Sequence, residues 1–262
     1  MDQHSSSLNS STILSVRELS ASYLGKTALW NINFQMKRGH ILGIIGPNGS
    51  GKSTLLKSIV QLNERDTGEI KYFGSDDFES CAQKIAYLPQ RESLDWNFPI
   101  KVIETVVMGR YPKMSFFQRP GENEYEQARV ALEKVKLLDC ADQAISELSG
   151  GQQQRVLIAR ALCQDADLIL LDEPFAAVDM KTEELIKKVL SELRSENRSV
   201  MIVHHDLFSV QNWADEVLLL NTRQVRFGPC DETLNRKYLE ECYGSHFESF
   251  SNALELSQKS RN

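Results

Sequence analysis

The feature that most constrains the fold is a glycine-rich segment between a short apolar run and a helical pattern. Residues 41–45 are apolar apart from one glycine, which is typical of a strand buried on both faces of a parallel sheet. The next residues are Gly46, Pro47, Asn48, Gly49, Ser50, Gly51, Lys52, Ser53 and Thr54. Residues 52–62 have helical periodicity. A strand, a segment of this form and a helix, in this order, predict a phosphate-binding loop (P-loop).

The residue types in this loop suit a nucleotide and a metal ion. Glycines let backbone N–H groups point at phosphate oxygens, and the helix adds its positive N-terminal end. We expect Lys52 to reach the β- and γ-phosphates and the Ser53 hydroxyl to bind Mg²⁺. A glycine-rich turn without function is the alternative, but the flanking strand and helix disfavour it. The loop therefore predicts binding of a nucleotide with Mg²⁺.

Apolar runs recur along the chain and alternate with helical patterns, which predicts a doubly wound α/β core. The predicted strands are residues 13–17, 31–36, 84–88, 168–171, 200–203 and 217–220. Helices are predicted at residues 124–138 and 182–193. Residues 93–162 lack clear strand patterns, so we expect a mainly helical insert there.

Two acidic residues, Asp172 and Glu173, follow the apolar run at 168–171. Buried strands of α/β sheets deliver ligand-binding groups at their C-terminal ends. We expect Asp172 to hold Mg²⁺ and Glu173 to orient the attacking water or accept its proton. A plain strand-to-loop transition is the alternative, which the P-loop makes less favourable.

Composition excludes several classes of protein. The chain has 262 residues with a net charge of -6, which argues against a nucleic-acid binder. Its five cysteines are scattered without metal-ligand spacing, as expected of reduced thiols in the cytosol. The start has neither the charge nor the apolar stretch of a signal peptide, and no apolar run has the length of a membrane helix. Membrane association would therefore require a partner.

These motifs, together with the segment LSGGQ at residues 148–152, resemble those of the ABC transporter ATPases. The resemblance covers about residues 13–231. It implies a P-loop NTPase (RecA-like) α/β core with a small antiparallel β subdomain and an inserted helical subdomain. It also implies that the signature residues cover the ATP held by a second subunit, so that two subunits enclose two ATP molecules. The implied signature residues are Ser149, Gly150, Gly151 and Gln152.

The resemblance also implies roles for single residues. Tyr23 would stack on adenine, although an ordinary strand aromatic is the other interpretation. Gln90 would sense Mg²⁺ and the γ-phosphate, and Asp179 would lie in a loop that crosses between the subunits. His205 would contact the γ-phosphate, while the adjacent His204 is expected to be structural. The implied catalytic residues are Glu173, His205 and Gln90, and the implied Mg²⁺ ligands are Ser53, Gln90 and Asp172.

The segment after Gln90 indicates the kind of transporter. Residues 91–102 and 108–111 look like those of the ATPases of bacterial manganese, zinc and iron importers. That resemblance implies a membrane permease that docks near Trp96 and Phe98, and an indirect partnership with an extracytoplasmic metal-binding protein. The chain would then lie on the cytoplasmic face of the cell membrane. Burial of Trp96 and Phe98 in the core is the competing interpretation.

Three alternatives remain open from the sequence. Importers of haem or iron-siderophore complexes have ATPases similar around Gly109 and Arg110. ABC ATPases of DNA repair, translation or iron–sulfur assembly transport nothing, and a nucleotide switch without hydrolysis is a third class. For domain organisation we expect a disordered extension at residues 1–12, the ATPase domain at 13–240 with its helical subdomain at about 93–162, and a polar tail at 241–262.

Overall fold

The structure is a computed structural model that describes residues 11–115, 117–176, 178–207 and 209–244. These residues form nine strands and eight α-helices, together with short 3-10 turns. The strands are β1 (Thr12–Tyr23), β2 (Lys26–Lys37), β3 (Ile41–Ile45), β4 (Thr67–Tyr72), β5 (Ile85–Leu88), β6 (Leu168–Asp172), β7 (Ser199–His204), β8 (Glu216–Asn221) and β9 (Arg223–Pro229). The helices are α1 (Lys52–Ile59), α2 (Phe78–Cys81), α3 (Val102–Val107), α4 (Glu122–Lys134), α5 (Gly150–Cys163), α6 (Met180–Ser195), α7 (Cys230–Thr233) and α8 (Arg236–Tyr243).

The chain divides into two compact units, which are described separately. The P-loop unit comprises the described parts of residues 16–34, 42–70 and 203–262. The signature unit comprises those of residues 1–15, 35–41 and 71–202. The P-loop, Tyr23 and His205 therefore belong to one unit, whereas the acidic strand end and the signature belong to the other.

The P-loop unit is built on a mixed sheet with the strand order β4-β1-β2-β9-β8-β3. Strands β3 and β8 run parallel, with Ile45 opposite Leu219, whereas β8 and β9 are antiparallel. Every residue of β3 is buried, as the apolar run predicts. Because β3 and β8 point the same way, the P-loop after Ile45 and the turn after β8 lie at one edge of this sheet.

The signature unit has the strand order β7-β6-β5. Strands β5 and β6 are parallel, with Tyr87 opposite Leu170. Every residue of strand β6 is buried, including Asp172, the last residue of the strand. The parallel arrangement brings the segments that follow β5 and β6 to the same edge of the sheet.

Helices fill the stretch in which the sequence shows no strand pattern. Among the described residues of 93–162 there is no strand, and α3, α4 and α5 pack against one another. Helix α4 buries Ala128, Ala131 and Leu132 on one face. Full burial of one leucine contributes about 1.5–3 kcal/mol, so this face anchors the helix.

Several elements extend or correct the sequence predictions. Strands β1 and β2 are longer than predicted, and α1 ends at Ile59 rather than at residue 62. Strands β4 and β9 and helix α8 were not predicted. Strand β9 is mostly half-buried or exposed and contains two arginines, so it lacks the apolar alternation of a typical strand.

The predicted domain limits differ from the structure at both ends. Strand β1 already includes Thr12, and α8 continues past residue 240 to Tyr243. Leu239, Cys242 and Tyr243 are buried because α8 packs against β8 and β9. These residues therefore belong to the core and not to a polar tail. The rest of the two predicted extensions, residues 1–10 and 245–262, lies outside the described residues.

The described residues contain neither a membrane-spanning helix nor a cluster of metal ligands. None of their helices combines the length and apolarity that a membrane span requires. Nor do they contain a group of three or more His, Cys, Asp or Glu side chains able to hold a metal ion. All five cysteines are free thiols.

Candidate active site

The P-loop connects β3 to α1, and its backbone is tightly packed at two glycines. A Cβ atom on Gly46 would lie 1.9 Å from the Leu220 carbonyl oxygen of β8. At Gly51 it would lie 2.4 Å from the Ala28 carbonyl oxygen, and the φ of Gly51 is +97°. Backbone oxygens cannot move aside as a flexible side chain can, so both positions require glycine.

Lys52, the first residue of α1, is held by the loop itself. Its Nζ donates hydrogen bonds of 2.9 Å to the carbonyl oxygens of Gly46 and Pro47, and the residue is buried. These bonds compensate for the burial of a charged group. The positive charge therefore lies at a fixed place beside the backbone of the P-loop.

The N-terminal end of α1 is suited to an anion. Its N-cap is Gly51, and in the described chain no side chain caps this end and no acidic residue occupies the first turn. The partial positive charge of the first N–H groups is therefore not neutralised by a carboxylate. Together with Lys52, this end fits a phosphate group.

Two other predicted residues of the P-loop unit lie in exposed positions. Tyr23 ends β1 and is 50% exposed, with the Nζ of Lys57 6.0 Å from the centre of its ring. His205 directly follows β7 and is exposed. His204 is buried instead, with its Nε2 2.6 Å from the Ser209 Oγ and its ring edge-on to Trp213. This environment is that of a structural side chain.

The turn between β8 and β9 is hydrogen-bonded to the P-loop. The Thr222 N–H donates to the carbonyl oxygen of Ser50 at 2.9 Å. On its other side, Asn221 Nδ2 donates to the Cys242 carbonyl oxygen of α8 at 2.8 Å. The Cys242 thiol donates to the Leu220 carbonyl oxygen at 3.6 Å. Helix α8 is thus bonded to the same carbonyl group that excludes a side chain at Gly46.

In the signature unit, the two acidic residues differ in environment. Asp172 is buried at the end of β6. Burial and the nearby Asp172 carboxylate raise the pKa of Tyr87, whose hydroxyl group is buried. Glu173 is half-buried and has a φ of +55°, in the left-handed region. This conformation costs a glutamate about 1–2 kcal/mol, and strained residues of this kind concentrate at functional sites.

Gln90 follows β5 at the same sheet edge where Asp172 and Glu173 follow β6. It is the N-cap of a short 3-10 turn at Arg91–Ser93. Its carbonyl oxygen accepts a hydrogen bond of 2.6 Å from the Ser93 hydroxyl. Gln90 is therefore the residue at which the segment containing Trp96 and Phe98 begins.

The signature forms the beginning of α5. Ser149 is its N-cap, and its hydroxyl accepts from the Gln152 N–H at 3.4 Å. In return the Gln152 Oε1 accepts from the Ser149 N–H at 2.9 Å. This reciprocal capping box fixes the start of the helix. Gly150 and Gly151 are the first two helical residues.

Asp179 has an equivalent position at the start of α6. Its Oδ1 accepts a hydrogen bond of 2.8 Å from the Thr182 N–H. That bond, with a smaller contribution from the Arg155 charge, lowers the pKa of Asp179. Asp179 therefore caps α6 as a carboxylate, whatever further contact it makes.

A family model described as "ABC transporter" matches residues 29–176 of this chain, which is more than half of it. The match includes the P-loop, the signature and both acidic residues. The chain belongs to the ABC transporter family. The family resemblance and the α/β P-loop NTPase fold predicted from the sequence are thereby confirmed.

Curated members of the family include close relatives. The manganese transport system ATP-binding protein MntB of Bacillus subtilis (strain 168) is 44% identical over 86% of this chain and 90% of its own length. The zinc transport system ATP-binding protein TroB of Treponema pallidum (strain Nichols) is 44% identical over 89% of this chain and 88% of its own.

Solved structures of ABC proteins share the fold. A transporter described as of the metal-chelate type, in an inward-facing conformation, matches with a TM-score of 0.78 and 32% identity. The match covers 88% of each chain. A dimeric bacterial ABC transporter cassette matches with a TM-score of 0.73 and 30% identity, over 83% of this chain and 99% of that one.

The contacts of two residues near the family motifs were not predicted from the sequence. Tyr87 lies close enough to Asp172 for the carboxylate to raise its pKa. Arg91 contacts the signature helix through Gln153. Tyr87 lies in a predicted strand and Arg91 in the segment that resembles metal-importer ATPases, but neither pattern predicts these contacts.

Proposed function

We propose that this chain is the ATP-binding and ATP-hydrolysing subunit of an ABC importer for a divalent transition metal, with manganese or zinc favoured over iron. The observation that carries the proposal is the fixed P-loop of an ABC family member, in which buried Lys52 lies beside an uncapped helix end. Family membership supports ATP hydrolysis as its reaction. The names of the two relatives support the metal.

ATP would bind mainly through the P-loop. Backbone N–H groups of residues 48–54 and the Lys52 ammonium would neutralise its phosphates, while Tyr23 would stack on the adenine. The Ser53 hydroxyl, the Asp172 carboxylate and the Gln90 amide are oxygen ligands of the kind that Mg²⁺ prefers. When bound, Mg²⁺ neutralises negative charge on the phosphate oxygens.

Glu173 would act on the attacking water. A carboxylate next to the Mg²⁺ ligand Asp172 can orient the water and accept its proton. The left-handed backbone of Glu173 supports this role, because a strained conformation directs the side chain at an energetic cost that the fold must supply. His205 and Gln90 would contact the γ-phosphate and report its presence.

A second subunit would complete the site. Positioning and charge stabilisation dominate phosphoryl transfer, so donors from two chains can act as a gate that closes on ATP. The residues proposed to face the ATP of the other subunit are Ser149, Gly150, Gly151, Gln152 and Asp179. The dimeric cassette among the similar structures supports this arrangement.

The membrane permease would dock beside Trp96 and Phe98. Phe98 is 59% exposed and Trp96 is half-buried, so neither is a core residue. Exposed aromatics are frequent anchors of protein interfaces. The proposed partners are therefore permease subunits at the cytoplasmic face of the membrane and, indirectly, an extracytoplasmic metal-binding protein.

Cellular metal content tests this function directly. Manganese, zinc and iron would be measured by elemental mass spectrometry in cells that produce the wild-type chain or the Glu173→Gln variant. Depletion of one element with the variant is expected and would name the substrate. Unchanged levels of all three would contradict metal import, whereas the ATPase proposal would stand on turnover measurements.

Import of haem or an iron-siderophore complex is the second candidate. It is favoured by the solved transporter of the metal-chelate type, which is 32% identical to this chain. Loss of iron uptake only when iron is supplied as a chelate would support this candidate. Loss of manganese or zinc uptake from the free ions would exclude it.

A further inference from the structure

The side chain of Arg91 links two segments that the proposed function treats separately. Its Nε and Nη2 donate hydrogen bonds of 3.2 and 2.9 Å to the Oε1 of Gln153 in α5. Gln153 is itself buried, and its Nε2 donates to the Ile145 carbonyl oxygen at 3.2 Å. The guanidinium is thus fixed to the first turns of the signature helix.

The same guanidinium lies against the signature glycine. A Cβ atom on Gly150 would be 3.1 Å from the Cζ and from the Nη2 of Arg91. Such distances are shorter than ordinary van der Waals contact, so any side chain at Gly150 would displace the guanidinium. Glycine at this position therefore lets Arg91 approach the start of α5.

On its other side, Arg91 is joined to the aromatic segment. The Trp96 Nε1 donates a hydrogen bond of 2.9 Å to the Arg91 carbonyl oxygen. The Arg91 Cζ lies 5.7 Å from the centre of the Trp96 ring, within the range of a cation–π contact. A displacement of Trp96 would therefore be passed to Arg91 through two contacts.

Within the part of the chain that the structure describes, the Arg91 side chain contacts the neutral Gln153 amide and the Trp96 ring. Helix α5 has no acidic residue in its first turn either. A guanidinium without a carboxylate beside a helix N-terminus reinforces the positive potential there. This potential favours an approaching phosphate.

We propose that Arg91 is a positioning residue that fixes the start of the signature helix to the Trp96 segment. In this position it sets how well the signature receives the ATP of the second subunit, and it passes movement of the docked permease to the signature. The inference deepens the proposed function and rests on its two-subunit arrangement. Arg91 acts through Gly150 and Gln153 and does not itself take part in the chemistry.

The test uses ATP-driven association of subunits that cannot hydrolyse ATP. The Glu173→Gln chain would be compared with the same chain carrying Arg91→Gln, Arg91→Lys or Trp96→Ala, by light scattering at saturating Mg-ATP. Loss of the guanidinium contacts should weaken association about 10-fold, as expected when charged hydrogen bonds are removed. Lysine retains the charge without the planar fork, so Arg91→Lys should associate better than Arg91→Gln but less well than the parent chain. Trp96→Ala should weaken association about 3-fold.

Matched measurements separate positioning from general damage. Arg129→Gln, which removes an arginine paired with Glu122 and Glu126 on α4, should leave association unchanged. Binding of ATP to each single subunit should stay within about 2-fold of wild type, because the P-loop is untouched. Equal association of the Arg91→Gln and parent chains would overturn the inference. Failure of the Glu173→Gln parent to associate would instead overturn the two-subunit proposal, and the inference with it.

Discussion

The P-loop and the signature are both glycine-rich, but the atoms that surround their glycines differ. In the P-loop, a side chain at Gly46 or Gly51 would collide with backbone oxygen atoms at 1.9 and 2.4 Å. In the signature, the only described atom that a Cβ on Gly151 would meet is the Thr182 hydroxyl oxygen, at 3.4 Å. Neither signature glycine has a positive φ. The fold itself therefore demands glycine in the P-loop but hardly demands it at Gly151.

This difference distinguishes glycines that the internal packing requires from glycines whose backbone is open to another molecule. A glycine without internal need is explained by something that must approach its backbone closely, such as a phosphate group. The P-loop is preformed, with Lys52 already bonded to its own carbonyl groups. The signature is a capped helix start that offers its surface to another molecule. Substitutions in the two regions should therefore affect different measurements.

Glu173→Gln should produce the largest change, which is a loss of turnover without a loss of ATP affinity. Loss of the carboxylate removes the group that acts on water, so turnover should fall about 1000-fold, within the range of general-base catalysis. ATP affinity, measured by equilibrium titration, should remain within a few-fold of wild type. Lys52→Ala is the opposite control, because it should weaken ATP binding itself by about 2 kcal/mol. Undiminished turnover of the Glu173→Gln variant would refute the role of Glu173.

Gly46→Ala should destabilise the folded chain by about 3 kcal/mol, because the new methyl group overlaps the Leu220 carbonyl oxygen. Urea unfolding would measure the loss. Gly49→Ala is the matched control, since its Cβ would meet no atom of the described residues within 4 Å although its φ of +77° is unfavourable. We expect that control to cost only about 1 kcal/mol. Equal losses for the two variants would contradict the packing argument.

Gly151→Ala should lower ATP turnover without lowering the stability of the fold. Its Cβ would make an ordinary contact with Thr182, and alanine is favoured over glycine inside a helix by about 0.5–1 kcal/mol. The free energy of unfolding should therefore be unchanged or slightly higher. ATP turnover at saturating ATP should nevertheless fall about 100-fold if the backbone here receives a phosphate. A stable variant with full turnover would show that this glycine has no external role.

The sequence predicted those parts of the fold whose signal is local and apolar. Strands β3, β6, β7 and β8 are buried runs, and their predicted limits agree with the structure within one residue at each end. Helix α8 was missed because its sequence, RKYLEECY, is mostly polar, although Leu239, Cys242 and Tyr243 are buried. Its docking depends on bonds to β8 residues about 21 positions earlier in the chain.

The candidate site was predictable to a similar extent. Motif spacing identified the P-loop, the acidic strand end and the signature. It did not predict that Ser149 and Asp179 are helix caps, because a capping bond depends on where the helix starts. Nor did it predict the contacts of Arg91 or the left-handed backbone of Glu173. These features arise from tertiary packing and have no sequence period.

The smallest expected effect is a loss of stability at alkaline pH that depends on Cys242 of α8. Burial raises the pKa of the Cys242 thiol from 9.0 to about 12, and the Lys52 charge only partly opposes this shift. Above pH 9 the unfolded chain therefore loses the Cys242 proton while the folded chain retains it. Since the folded state then binds more protons than the unfolded state, stability must fall as pH rises from 9 toward 12.

The contribution of Cys242 should be about 1 kcal/mol per pH unit above 9. Other groups titrate in this range, so the measurement is the difference in unfolding free energy between wild type and Cys242→Ala at pH 8, 9, 10 and 11. The wild-type chain should lose stability more steeply than the variant. Parallel curves would mean that the Cys242 thiol is not buried in solution as it is in the structure, and that α8 does not cover this side of β8 there.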